Sequence, residues 1–367
     1  MIDKSKLNKI GIDRVVINNF SILNFKNLEK KEIVNKFEYI EKFEFKDTYF
    51  SLSYSNNLKA SGEIYNISAL EFNPTKLFNG HNIYNSNLSE LKLCLDKIYK
   101  NLLQNGINID LSQAKIKEIE INTTFEENFE ELTEVLMLIG RANYKKALGI
   151  YSFLDEDIPS KIRKDRSLYI NTRTQDFKKD NPGKTIKFYD KTFEMYTSHD
   201  VLIPEKLTRL EILFGRDYYR NITEKYGISN SLNDFLANDI TEKLFFESLE
   251  KEVVEKPKKY LLEIKKNLTH DFKNFKRNEK FKRAEREKFK KAGKNIPAIY
   301  KEERGVFNYL EKNSWIFDYR FLYEIINEHI SSKHRKDYEK QIIKKYMNIN
   351  NLELYEKLLK NIFGRFF

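Results

Sequence analysis

At 367 residues and a formal net charge of +11, the chain is long enough for two modest domains, each with its own core. The positive balance points to a polyanionic partner. Lys, Asn, Ile, Phe and Tyr are abundant while Gly and Pro are scarce, the signature of an AT-rich coding sequence, so charge alone is weak evidence of function. Lys4, Lys6, Asp13 and Arg14 interrupt the opening residues, so no signal peptide is expected. With no run of about eighteen apolar residues, no membrane span is expected either. The single cysteine, Cys94, excludes an internal disulfide and suits a reducing cytoplasm. Its apolar helical surroundings make it a core residue.

In chain order, residues 11–20 (GIDRVVINNF) predict a first strand and residues 28–36 a short polar helix. Residues 42–54 alternate as a hairpin turning near Lys46 and Asp47. Gly62 to Phe72 (GEIYNISALEF) is a strand running into a loop with Pro74, Gly80 and His81. Asn87 and Glu90 form a capping-box start for a helix whose apolar face is Leu88, Leu91, Leu95, Ile98 and Leu102, stopped by Gly106. Ile116 to Thr123 (IKEIEINT) alternates with Ile119 and Ile121 inward and Glu118, Glu120 and Asn122 outward. A helix over 126–139 follows, starting acidic as the helix dipole prefers. Residues 141–165 read as basic and irregular.

Ser167 to Thr172 (SLYINT) pairs with 186–190 across a polar turn containing Pro182 and Gly183. Lys184 to Met195 (KTIKFYDKTFEM) reads as one strand, with Ile186 and Phe188 on one face and Lys187, Tyr189 and Lys191 on the other. Leu207 to Phe214 (LTRLEILF) is the last strand, with Arg209 and Glu211 outward. From Asp217 the pattern is helical to Phe367. The fold class is therefore α+β, with an α+β domain over 1–225 followed by a helical domain over 226–367.

Set in one sheet, these strands give a face bearing Glu71, Glu118, Glu120, Tyr189, Lys187, Lys191, Arg209 and Glu211, with His81 beside it. Carboxylates and an imidazole suit a divalent cation with room for phosphate oxygens. A tyrosine ionises near pH ~10 in water, so nearby lysines and a cation on the target phosphate would both help it attack. The plain alternative is a solvated sheet face with ordinary charges. Tyr84, Tyr169 and Tyr196 are competing phenols. Tyr169 shares a parity with Asn171 and Arg173.

In the tail, Lys265 to Lys294 holds about three times as many basic as acidic residues, with Phe272, Phe275, Phe281 and Phe289 interleaved. The cations proposed to track phosphates are Lys265, Lys266, Lys273, Lys276, Arg277, Lys280, Lys282, Arg283 and Arg286. Phe272 and Phe275 fall near one side, which favours packing, so a solvated helix with an aromatic stripe is the other reading. Trp315, Phe317, Tyr319, Leu322, Ile325 and Ile326 predict a small helical core, with a helix-turn-helix arrangement as a further expectation.

ISALEFNPTKLFNGHNIY resembles the segment of filamentous-phage gene II replication proteins that carries a glutamate, a proline-lysine loop and a Gly-His-Asn triplet. IKEIEINTTF is similar to that family's acidic strand, with Glu120 where an aspartate is usual. GKTIKFYDKTFEM resembles its tyrosine strand and LTRLEILFGRDY the strand after it, matching at Arg209 and Glu211. SLYINTR with IKFYDK also looks like the related initiators of rolling-circle plasmids.

The resemblance implies an antiparallel-sheet tyrosine-nickase domain of the rolling-circle Rep type. Such an enzyme nicks one origin strand, holds a 5′-phosphotyrosyl intermediate on Tyr189, and later rejoins the ends. It implies Mg²⁺ or Mn²⁺ held by His81, Glu71 and Glu120, with Lys187 and Lys191 beside the nucleophile and Arg209, Glu211 and Asn82 in support. The His-hydrophobe-His pair usual in tyrosine nickases is absent, and His81 is the only histidine before Tyr189. Expected partners are origin DNA, single-stranded or supercoiled, and a host helicase and polymerase, with no membrane. A mobilisation relaxase and a non-catalytic origin-binding initiator remain as rival functions. An RNA-binding protein is disfavoured because no aromatic ribonucleoprotein motif is visible.

Overall fold

The computed structural model describes residues 3–24, 29–31, 39–58, 64–144, 166–171, 183–300, 316–346 and 351–364. Trp315, Arg173, Pro182 and most of 141–165 lie outside them. The chain forms two compact units. The first comprises Met1–Thr133, Lys146–Lys251 and Asn361–Phe363; the second comprises Glu134–Lys145, Glu252–Lys360 and Gly364–Phe367.

The first unit is built on strands β1 (Gly11–Asn18), β2 (Ser21–Asn24), β3 (Glu29–Lys31), β4 (Tyr39–Lys46), β5 (Phe50–Leu58), β6 (Ile64–Phe72), β7 (Asn108–Asp110), β8 (Lys115–Phe125), β9 (Ser167–Asn171), β10 (Lys184–Asp190) and β11 (Thr208–Gly215). Among the described residues nine of them make one sheet in the order β3-β4-β5-β6-β1-β8-β11-β10-β9, while β2 pairs with β7. Every pairing is antiparallel. The architecture is thus α+β with a large antiparallel sheet. The hairpin of β4 and β5 and the pairing of β9 with β10 are both as the alternation predicts.

The buried face of this sheet follows from registration of the apolar positions. Val15 lies between Phe72 and Ile119, Ile121 opposes Ile212, and Ile186 stands between Ile212 and Ile170. All seven are at most 2% exposed. Each buried side chain of this size contributes roughly 1.5–3 kcal/mol relative to exposure, so the register is strongly fixed: slipping by one residue would turn the whole row outward.

Helices α1 (Pro74–Asn79), α2 (Leu88–Gln104), α4 (Lys191–His199), α5 (Arg216–Glu224), α6 (Leu232–Ala237) and α7 (Thr241–Leu249) belong to the same unit. Of these, α1, α2, α4, α5 and α7 contact the central strands. The capping box of Asn87 and Glu90 forms as predicted, and Gly106 stands at φ +71 beyond the end of α2. Cys94 is fully buried there, and burial pushes its thiol up to about 12.

Several local expectations are corrected. Glu29–Lys31, expected to be helical, pairs as strand β3 with Lys42–Glu44; the hairpin partner overrides weak helix propensity. The helix expected over 126–139 is α3 (Thr133–Tyr144), starting later. The loop after β6 contains α1, begun by the Asn73 side chain with Pro74 at its first position and ended by Gly80 at φ +71. Lys184 to Met195 is not one strand, because β10 stops at Asp190 and α4 begins. Asp190 Oδ1 accepts the Phe193 amide at 2.9 Å, which is what starts the helix there.

The second unit is helical. It contains α8 (Lys256–Lys291), α9 (Tyr319–His329), α10 (Lys333–Tyr346) and most of α11 (Asn351–Phe363). Ile264, Leu268, Phe272 and Phe275 form the buried stripe of α8, while Phe281 is exposed. Phe317, Leu322, Ile325 and Ile326 are buried as expected. Three residues separate α9 from α10, and these two helices contact each other.

Candidate active site

Opposite the apolar row, the same strands turn polar side chains to one face. Direct registration places Arg14 beside Glu120, Glu211 beside Asn122, Arg209 beside Thr124, Lys187 beside Glu211 and Tyr169, and Tyr189 beside Arg209. Cross-strand partners share a face, so the alternation read from the sequence holds across β8, β11 and β10. This face is far from solvated at its centre: Arg209 and Asn122 are completely buried, and Tyr189 is 5% exposed.

Tyr189 Oη donates to Glu211 Oε1 at 2.5 Å. Lys187 Nζ lies 4.0 Å from the Tyr189 ring centroid and 3.7 Å from Glu211 Oε2. Burial drives the Tyr189 hydroxyl well above the usual tyrosine range; the Arg209 charge opposes this, and Glu211 and Glu194 reinforce it. A proton acceptor is therefore needed before this phenol can attack anything near neutral pH, and Glu211 is in place to be one.

Arg209 is the hub. Its guanidinium donates to the Asn82 carbonyl and, at 3.0 Å, to Asn85 Oδ1. Nε lies 3.6 Å from Glu211 and Nη2 4.0 Å from Asp13. Burial works against its charge, but Tyr189, Asp13 and Glu211 outweigh that and raise it further.

Lys191, expected on the strand face, reaches the site by another route. As the first residue of α4 it is completely buried and donates to Asn82 Oδ1 at 2.8 Å and Glu194 Oε2 at 2.6 Å. Burial and the Arg209 charge depress it to about 8, despite Glu194. The Gly-His-Asn loop is thus fastened at Asn82 to both cations. Lys191 Nζ also lies 5.7 Å from the Tyr189 ring centroid.

The proposed metal ligands are not brought together. Glu71 is engaged by Arg14 Nε at 2.6 Å, and Arg14 Nη1 reaches Glu118 at 3.1 Å. His81 Nδ1 accepts the Ile83 amide at 3.3 Å, and its ring lies edge-on to Tyr84 at 5.4 Å. Burial and Lys191 hold the imidazole below its usual range. Glu120 belongs instead with Glu211 and Asp13: burial first, then those two like charges, raise it to about 8 against Arg14 and Arg209. Among the described residues no three His, Cys, Asp or Glu side chains are placed to hold a metal ion. The residues present do not fit the expected ligand set.

Two site residues escaped the sequence reading. Asp13 enters through a register shift between Ile12 and Arg14, where an extra residue in β1 breaks the alternation. Its carboxylate also accepts Asn73 Nδ2 at 3.0 Å. Asn85 bridges Arg209 and, through Nδ2, the Asn122 carbonyl at 3.0 Å. No sequence signal marks the bulge; the chain around Asn85 is a run of polar residues in which any one could have turned inward. At the centre of the face the Asn122 carboxamide, the Thr124 hydroxyl and Arg209 Nε are buried without hydrogen-bond partners among the described residues.

Of the competing phenols, Tyr84 Oη accepts the Asp3 amide at 2.7 Å. Tyr196 is exposed on α4, and Tyr169 is 47% exposed on β9 with Lys187 Nζ 5.6 Å from its ring.

The polar face of this antiparallel sheet gathers Tyr189, Arg14, Arg209, Lys187 and several carboxylates, with Lys191 reaching it from α4. Residues 32–213, which include β10 and most of β11, match the family described as the N-terminal region of the replication-associated gene II protein. Over those residues the chain is similar to the gene II type of phage replication initiator. No curated protein matches the chain. Among the described residues no helix is long and apolar enough to cross a membrane.

Proposed function

We propose that the chain starts rolling-circle replication by cutting one origin strand with the Tyr189 hydroxyl and staying joined to the 5′ phosphate. The observation that carries this reading is the 2.5 Å hydrogen bond from Tyr189 to Glu211, with Lys187 against the ring. The phenolic oxygen attacks the scissile phosphorus, its proton passes to Glu211, and the 3′ oxygen leaves and takes up a proton. General-base help of this kind contributes roughly 10²–10⁴ in rate. Lys187 and Arg209 offset the charge that grows on the phenolic oxygen as the proton departs. The freed 3′ hydroxyl primes synthesis. One phosphodiester replaces another, so the reverse step rejoins the ends.

Tyr189 is buried, so the strand reaches it through a local opening of the site. The resemblance implies Mg²⁺ or Mn²⁺, which would polarise the phosphodiester. His81, Glu71 and Glu120 are not gathered as a ligand set among the described residues, and Tyr189, Glu211, Lys187 and Arg209 carry the attack. Arg209, Lys191 and Asn82 are positioning residues. In the second unit the cations from Lys265 to Arg286 hold DNA phosphates, and a host helicase and polymerase complete the replication machinery.

The test is a denaturing gel of the protein with labelled single-stranded origin DNA, in Mg²⁺, Mn²⁺ or EDTA. A covalent adduct supports an enzyme, whereas specific binding without any adduct supports a non-catalytic origin binder. Cutting confined to a transfer origin would make it a mobilisation relaxase. Exposure favours one second reading of the nucleophile, Tyr169, which shares Lys187 with Tyr189.

A further inference from the structure

Along α8, positions 272, 275, 276, 279, 280, 283 and 286 recur at helical spacing and share one face. Phe272 and Phe275 are buried at one end of it; beyond them the face becomes Lys276, Glu279, Lys280, Arg283 and Arg286. That charged portion forms one wall of a cleft of about 360 Å³, and the turn from α9 into α10 forms the other, with His329, Ser332 and Arg335. Five cations therefore face a single acid, Glu279.

The cations do different things. Lys276 Nζ donates to the His329 carbonyl at 2.7 Å, tying α8 to the C-terminal end of α9. Among the described residues Lys280, Arg283 and Arg335 have no ion-pair partner, and all three are exposed. The first turn of α10 carries Lys333, His334, Arg335 and Lys336 and no acid, although the positive end of a helix dipole favours anions there. Like charges gathered across a cleft repel in the absence of an anion. A helix of 36 residues, about 54 Å long, carries four of them over residues 276–286.

The geometry points to this cleft as a seat for backbone phosphates of duplex DNA, with Lys280, Arg283 and Arg335 as direct donors and Ser332 at its rim. This rests on the reading that the helical unit binds DNA, and it adds where: α8 acts jointly with the first turn of α10.

The test uses the full chain and a labelled duplex of about 30 base pairs, with affinity measured by anisotropy against salt. Each B-DNA phosphate contact adds about 0.9 to the slope of log affinity on log salt. The variant Lys280→Gln/Arg283→Gln/Arg335→Gln should lower the slope magnitude by roughly 2–3. The control Lys288→Gln/Lys290→Gln/Lys291→Gln, on the same helix beyond the cleft and the cations assigned to DNA, should lower it by less than about 1. The charge-keeping variant Lys280→Arg/Arg283→Lys/Arg335→Lys should retain the slope. Equal losses in the two neutralised variants would overturn the cleft while leaving DNA binding by the helix intact. No loss in either would overturn DNA binding by this unit altogether. A loss seen with a single strand but absent with the duplex would overturn the choice of ligand.

Discussion

The two units place their charges in opposite ways. At the polar face of β8, β11 and β10, Arg209 of β11 and Lys191 from α4 are fully buried and each is held by two acceptors. On α8, Lys280 and Arg283 stand in solvent with no ion-pair partner among the described residues. Buried charges in fixed partnerships cost desolvation and hold a geometry. Exposed cations cost little and are screened by salt. The first arrangement suits a reaction centre, the second a reversible grip on a polyanion.

The largest stability effect should come from Arg209. Arg209→Leu leaves Glu211 and Asp13 without their buried counter-charge and Asn82 and Asn85 without a donor. A loss of roughly 3–5 kcal/mol is expected by urea unfolding. A loss below about 1 kcal/mol would mean the hub is not structural.

Glu211→Gln keeps an acceptor for the Tyr189 hydroxyl but removes the base. Nicking should fall by roughly 10²–10⁴ with origin binding retained. A variant that nicks at the wild-type rate removes Glu211 from the mechanism.

Lys191 supplies a test through pH. Its folded value, about 8, lies below the ordinary 10.5. Between those values the unfolded chain binds a proton that the folded one does not, so this group's contribution to stability rises with pH from 8 to 10.5 and its cost is fully present below 8. Two and a half units correspond to about 3 kcal/mol. Lys191→Met should therefore be more stable relative to wild type at pH 7 than at pH 10. A constant difference over that range would contradict the depressed value.

The smallest effect is on the other side of the comparison. Neutralising Lys280, Arg283 and Arg335 should leave the unfolding midpoint unchanged, because exposed unpaired cations add little to folding. A clear drop would show that the cleft is a structural element rather than an open binding surface.

The sheet was legible because alternation is strict where it matters. Ile119, Ile121, Ile186, Ile212 and Phe214 point inward at every second residue, so Glu118, Glu120, Lys187, Arg209 and Glu211 had to share the other face. Asp13 was illegible because a bulge hides from a period-two count. In Lys184 to Met195 the apolar parity switches, from Ile186 and Phe188 to Phe193 and Met195, and that break with the cap at Asp190 marks where the strand ends and α4 begins. That the proposed metal ligands are not gathered among the described residues was hidden for another reason. Sequence neighbours cannot show that Arg14 claims Glu71, or that Glu120 faces Glu211 and Asp13 rather than His81. Burial was equally hidden: a tyrosine between lysines looks exposed until the Asn82–Asn85 loop folds onto Arg209 and Lys191.

The central claim is that Tyr189 is the residue joined to DNA, and the most direct measurement is to digest the covalent complex and identify the nucleotide-bearing peptide by mass spectrometry, alongside Tyr189→Phe. That variant removes only the hydroxyl, so folding and origin binding should persist while the adduct disappears, and the wild-type adduct should map to the β10 peptide carrying Tyr189. An adduct on Tyr169, Tyr84 or Tyr196, or normal nicking by the phenylalanine variant, would contradict the account.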